Sequence, residues 1–324
     1  MQATKLSRRQ WLQSTIAGSL AIAGSWAIAA GRNCRAVADP DSAAKSCTLS
    51  IGTYSTKGVP LEKAIASIAD IGFDGIEIAA QPGYDGEPAQ MPADRRHQVR
   101  QLLADRGLKL TALMEHLNPS ADNTQHKADL DRLRRVLELS RELGPKHAPL
   151  IQTVLGGGKW EEKQNLFRDR LGDWQAAAVE AQVTLAIKPH RGGAMSRPSE
   201  AIWLIQQLGN SPRLRMVYDY SHYAFRQMPL EETIREALPF TAHIAVKDAV
   251  QQGDRVVFQL PGDSGTFDYA KLLHSFFAGG YRGDVCCEVS SMVSSQTGYD
   301  SLAAAKTCYG HMSAAFQQAQ VPRA

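Results

Sequence analysis

Short β-rich runs take turns along this chain with longer stretches whose apolar residues recur at helical spacing. The first run, residues 47–54, alternates in polarity and precedes a helical pattern over 61–71 that stops at Gly72. Residues 75–79 form the second strand. A loop with Gly83, Gly86, Pro88 and Pro92 then leads to a helix ending near Gly107, and 108–114 is the third strand. A helix over 127–143 ends at Gly144-Pro145, where glycine permits the turn and proline cannot continue the helix. Residues 149–155 and 183–187 are the fourth and fifth strands, on either side of a helix over 161–181. Beyond them come a helix over 198–208, a strand over 214–218, a short helix over 230–237 and a seventh strand over 242–246. A hairpin at 256–260, a helix over 269–277, an eighth strand over 284–289 and a helix over 298–317 complete the series.

Eight strand–helix units in strict alternation predict a single-domain α/β fold, a (β/α)8 TIM barrel over 47–320. The competing architecture is a doubly wound open sheet. It is disfavoured because the first strand-to-helix turn lacks G-x-G-x-x-G and polar residues stand at nearly every strand tip, not at one switch point. Closing the sheet brings those tips to one mouth.

The first 38 residues read differently. Ser7-Arg8-Arg9-Gln10-Trp11-Leu12 has the form of a twin-arginine export signal, followed by an Ala/Gly-rich apolar run and a small-x-small site at Ala36-Val37-Ala38. That assigns 1–38 to a signal peptide, 39–46 to a short leader, and the mature protein to the periplasm. A membrane anchor is the alternative, but the run is short of the roughly 20 strongly apolar residues a span needs. The segment contains Lys5, Arg8, Arg9, Arg32 and Arg35 and no acid, so its removal takes the formal charge from +3 to −2. No basic stripe then remains for nucleic acid and no second apolar span for a membrane. Of the four remaining cysteines, Cys286 and Cys287 are adjacent and face opposite ways on a strand. They are no metal knuckle, and Cys47, Cys286, Cys287 and Cys308 read best as small buried residues, with a bridge to Cys47 as the alternative.

Candidate chemistry gathers at the later strand tips. Asp219, His243 and Glu288 are read at the tips of strands six, seven and eight, and one imidazole with two carboxylates suits Mn, Mg, Co or Zn. Such an ion polarises a carbonyl and eases removal of a neighbouring proton.

These motifs, with Gly-Phe-Asp-Gly-Ile-Glu-Ile at strand two, Asp219-x-x-His222, Lys247-Asp248 after the His243 strand and the Gly262–Gly265 turn, resemble the xylose isomerase-like TIM-barrel superfamily, the sugar phosphate isomerase/epimerase group. The resemblance implies a sugar or polyol isomerase or epimerase working through an enediolate. It also implies a metal held by a Glu, an Asp, a His and a second Glu from strands five to eight, the last three falling on Asp219, His243 and Glu288. His222 matches a substrate-contacting histidine. Lys247, Glu77 and His116 are further candidates to bind the sugar.

The departure is at strand five, where Lys188 of Ala-Ile-Lys-Pro-His stands in place of the family's glutamate. Three consequences stay open. A metal binds with three ligands, helped by His190; or the Lys188 ammonium replaces the metal and neutralises Asp219 and Glu288; or the barrel is an inert sugar binder. Only Glu288 remains of the two family glutamates, so two-sided epimerisation is weakened. Isomerisation, or a lyase or dehydratase reaction with Glu288, Lys188 and His190 as catalytic groups, is retained. An endonuclease IV-type enzyme fits poorly, since the Asp-x-His expected after strand seven is absent from Gln251-Gln252-Gly253-Asp254-Arg255.

Overall fold

The computed structural model describes residues 45–324, so the segment read as an export signal lies outside the described residues. Eight parallel strands close into a barrel: β1 (Thr48–Gly52), β2 (Gly75–Ala79), β3 (Lys109–Met114), β4 (Leu150–Thr153), β5 (Leu185–Ile187), β6 (Leu214–Tyr218), β7 (Thr241–Val246) and β10 (Asp284–Cys287). The ring shuts where β1 pairs with β10. Helices α1 (Leu61–Ile71), α2 (Ala93–Asp105), α3 (Asn123–Leu143), α4 (Trp160–Ala181), α5 (Pro198–Gln207), α6 (Leu230–Ala237), α7 (Tyr269–Ala278) and α9 (Ser301–Ala319) follow the barrel strands in turn, with a single helical turn α8 (Ser291–Ser294) just past β10. An antiparallel hairpin, β8 (Asp248–Gln252) with β9 (Arg255–Gln259), rises from the end of β7. Among the described residues no helix is long and apolar enough to cross a membrane.

The predicted barrel is present, and the boundaries differ where caps decide them. α3 starts at Asn123 because Asp122 accepts the Gln125 N–H, satisfying a donor the first turn leaves free. The polar Asn-Thr-Gln-His that opens the helix hides that start from an apolar pattern. α9 likewise begins under Asp300, which accepts from Leu302 and Ala303.

Strand alternation sorts the side chains. Leu49, Ile51, Ile76, Ile78, Leu113, Ile151, Leu185, Ile187, Met216, Ile244, Val246 and Val285 belong to the main core, shared with the helices. Inside the ring, Ala186, Val217 and Ala245 form a small apolar cluster of their own, packed by Leu150. The rest of the buried set includes Ser50, Glu77, Gln152, Lys188 and His243. A TIM-barrel interior is normally filled by branched aliphatics; this one is largely polar. Gly52 helps make room for that polarity, since a Cβ there would lie 2.9 Å from Glu77 Oε1. Cys47, Cys286, Cys287 and Cys308 are all free and buried.

Candidate active site

The strands end in a cavity of about 450 Å³, open mouth included, lined by Tyr54, His116, Lys188, His190, Lys247, Phe258, Glu288 and Ser290 among others. Two buried ammonium groups stand at its floor. Lys247, the residue after β7, places Nζ 2.5 Å from Asp219 Oδ2, 2.7 Å from Glu288 Oε1 and 3.2 Å from His222 Nε2. Lys188, the residue after β5, donates to Glu288 Oε2 and lies 3.8 Å from Asp219 Oδ2. A lysine has only protons to give, so His222 Nε2 must be the acceptor and Nδ1 bears the ring proton. His222 Nδ1 has no partner.

Local sequence explains these positions. Asp219 caps the turn Tyr220–His222 by accepting Ser221 N–H at 3.1 Å and Ser221 Oγ–H at 2.6 Å, and that turn carries His222 back over the barrel. Asp248 is adjacent to Lys247 and so leaves the strand on the other side. It accepts from Ser264 N and Oγ and from Tyr269 Oη, pinning the Gly262–Gly265 turn, and plays no part at the floor. The hairpin brings Phe258 over the site, 5.1 Å from Lys247 Nζ and edge-on to His222 at 5.2 Å.

The ionisation pattern follows from this packing. Burial works against the charge of Glu288, but Lys188 and Lys247 outweigh it and hold the carboxyl well below its ordinary range. Burial likewise opposes Lys188, and Glu288 with Asp219 overcomes it, so the ammonium is kept charged. Burial, then Lys188, push His116 and His190 down to about 4. Burial and Lys247 push His222 well below its usual value. At neutral pH Lys188 is therefore an ammonium, Glu288 is ionised and the imidazoles of His116, His190 and His222 are uncharged.

Two of the residues expected at the tips are elsewhere. His243 is the third residue of β7, in register with Asp284 at the start of β10, and so lies a layer below the mouth. There its Nε2 is 3.5 Å from Glu77 Oε2, and neither ring nitrogen has a hydrogen-bond partner. Glu77 is buried, accepts from Gln152 and does not line the cavity. Among the described residues, metal-type donors thus form two groups, Asp219–His222–Glu288 and Glu77–His243–Cys286, each with its atoms within 4.8 Å of one another. The three residues expected to share one ion, Asp219, His243 and Glu288, are split between them. The inward position between His243 and Lys247 is Ala245, which offers only a methyl group.

The upper group does not fit a divalent cation as it stands. Lys247 Nζ already lies at contact distance from all three donors, and Lys188 adds a second positive charge beside them. Of the remaining expected residues, His116 and His190 line the cavity. Tyr54, Phe258 and Ser290 are cavity residues that no polar strand tip announced.

Comparison with known proteins agrees with this architecture. The xylose isomerase-like TIM barrel model matches residues 65–306, and the chain belongs to that family. A 3-dehydroshikimate dehydratase from Pseudomonas aeruginosa is 26% identical over 251 residues, 74% of this chain, and the match spans 37% of that relative's length. Among solved structures, a D-psicose 3-epimerase from Clostridium cellulolyticum H10, determined with D-tagatose, superposes with a TM-score of 0.68 at 14% identity, covering 84% of this chain and 99% of its own. A xylose isomerase-like TIM barrel protein from Mycobacterium smegmatis, in complex with magnesium, gives 0.63 at 17% identity, covering 85% of this chain and 97% of its own. At those identities the structural matches establish shared fold alone.

Proposed function

Starting from a xylose isomerase-like barrel, we propose that this protein is an enzyme that removes the proton next to a carbonyl of a small sugar-like substrate without a divalent cation. The observation that carries the reading is the ammonium pair, Lys188 and Lys247, set against Glu288 at the cavity floor. A carbonyl oxygen bound in the cavity receives a hydrogen bond from Lys188, which has donors to spare. As the α-proton leaves, the growing enolate charge is stabilised by ammoniums already fixed in a buried site. The same oxyanion draws the lysines away from Glu288, relieving the charge that holds its pKa down. Glu288 then accepts the proton, and neutral His190 takes the hydroxyl proton of the adjacent carbon. Delivery of the first proton from Glu288 to the former carbonyl carbon, and of the hydroxyl proton from His190 to the former carbonyl oxygen, completes an isomerisation. If the β-carbon carries a hydroxyl, its loss as water gives a dehydration, a second outcome favoured by the dehydratase relative.

The test is to incubate the purified chain with keto sugars and β-hydroxy ketones in deuterated buffer, with and without chelator. The reading predicts deuterium at the α-carbon, or loss of water, in both conditions and not in Glu288→Gln. Binding without exchange or elimination in any substrate would mark an inert binder. Exchange that disappears with chelator would mark a metal enzyme. We also propose that residues 1–38 direct export, which comparing cell fractions for the cleaved chain would check.

A further inference from the structure

Beside the mouth stand two arginines that form no ion pair with a carboxylate among the described residues. Lys188 and Lys247 are matched by Asp219 and Glu288. One residue beyond His190, Arg191 stands half-buried in the loop after β5. Its Nη2 donates to Ala224 O at 3.0 Å, while its Nη1 is buried and has no acceptor. Arg226, in the loop after β6, donates to Ser196 O at 2.9 Å, Ser196 Oγ at 3.1 Å and His222 O at 3.5 Å. Both guanidinium groups therefore rest on one short segment, 222–224, that also aims His222 at Lys247. Glu200, whose charge acts on Arg226, spends Oε2 on the backbone N–H groups of Ser196 and Arg197. Burial, then the charge of Arg226, works against the charge of Arg191.

A buried guanidinium nitrogen without an acceptor, next to a second arginine, is costly until an anion arrives. A planar guanidinium binds carboxylate or phosphate oxygens through paired donors. Arg191 also adjoins His190, whose ring lies 4.1 Å from that of His222, so a ligand reaching from Arg191 to Lys247 crosses this histidine pair. We infer that Arg191, backed by Arg226, forms an anion subsite at the edge of the mouth, so that the substrate carries a carboxylate or phosphate group in addition to its carbonyl. Calling that ligand a substrate rests on the proton-abstraction reading; the subsite itself does not.

Binding is measured by calorimetry on the purified chain with D-fructose, 2-keto-D-gluconate and D-fructose 6-phosphate. At least one anionic probe is expected to bind about 10- to 100-fold more tightly than the neutral sugar. Which of the two does so separates carboxylate from phosphate. Arg191→Gln should remove that advantage while leaving the weak neutral binding in place, and Arg191→Lys should restore part of it. Equal affinity for neutral and anionic probes, no anion binding at millimolar concentration, or an Arg191→Gln protein that folds and keeps the preference would each overturn the subsite. Anion binding without α-proton exchange would leave the subsite standing and remove only the proposed reaction.

Discussion

Two layers of one barrel interior hold similar donors and differ in what sits among them. The upper layer has Asp219, His222 and Glu288 drawn around Lys247, with Lys188 alongside. The lower layer has Glu77, His243 and Cys286, with the amide of Gln152 on Glu77 and, among the described residues, no lysine at ion-pair distance; Lys188 is attracted to Glu77 only from farther off. The upper carboxylates are buried as partners of cations, and Glu288 faces the cavity. The lower carboxylate is buried behind them, held by a neutral amide with an imidazole at 3.5 Å. The kind of donor therefore says less about chemistry here than the charge at the centre of the group.

The largest predicted effect comes from taking that central charge away. Lys247→Met leaves two carboxylates with one ammonium, and removing a partner from a buried ionic cluster costs about 3–5 kcal/mol. Denaturant unfolding checks this, and a loss under about 1 kcal/mol would show that the upper layer is not an ionic cluster. Lys188→Met is predicted to keep the fold better and to lower turnover by roughly 10²- to 10³-fold, as loss of an oxyanion donor does, with little change in KM. Assays at saturating substrate read this directly.

Next in size is the response to acid. His116 and His190 have folded values of about 4, beneath their ordinary 6.5, so the folded state favours their neutral forms. That contribution is complete above pH 6.5 and is lost as the pH falls toward about 4. Glu288, also depressed, adds a second loss that begins below the ordinary carboxylate range. Stability should thus fall in two stages on acidification, and carbon-13 resonances of the imidazoles should show no titration between pH 6 and 8. A histidine of the mouth titrating near 6.5 would contradict the packing described.

The smallest effect is expected one layer down. Glu77→Gln keeps an acceptor for Gln152 and breaks no lysine ion pair among the described residues, so stability should change by no more than about 1 kcal/mol. A loss as large as that of Lys247→Met would erase the distinction between the layers.

The sequence discloses the barrel because period-two and helical patterns are set by neighbouring residues, and the strand–helix alternation admits few closed arrangements. It discloses less of the site. Lys188 stood out because it sits at a strand tip after an apolar run, and the structure places it there. Residue type points to His243 as a tip residue, but β7 runs three residues further, to Val246, and alternation puts Lys247 at the mouth on the same inward face. Position counted back from the strand end, and not residue type, marks which side chain reaches the mouth. Phe258 and Tyr54 arrive from the hairpin strand β9 and from a 3-10 turn after β1, outside the eight barrel strands whose tips the pattern locates. The arginines against Ser196, His222 and Ala224 depend on contacts between separate loops, which no local pattern encodes.

The most direct measurement of the central claim, that two lysines hold the place of a cation, is metal content after exposure to Mn, Mg and Zn followed by desalting. It should be made on the wild type and on a chain carrying Lys188→Glu with Lys247→Ala. The account predicts a wild type with far less than one ion per chain and a variant that retains about one, since two ammoniums are gone and a third carboxylate stands beside Asp219 and Glu288. A wild type that keeps one divalent ion per chain, with the variant no better, would contradict it.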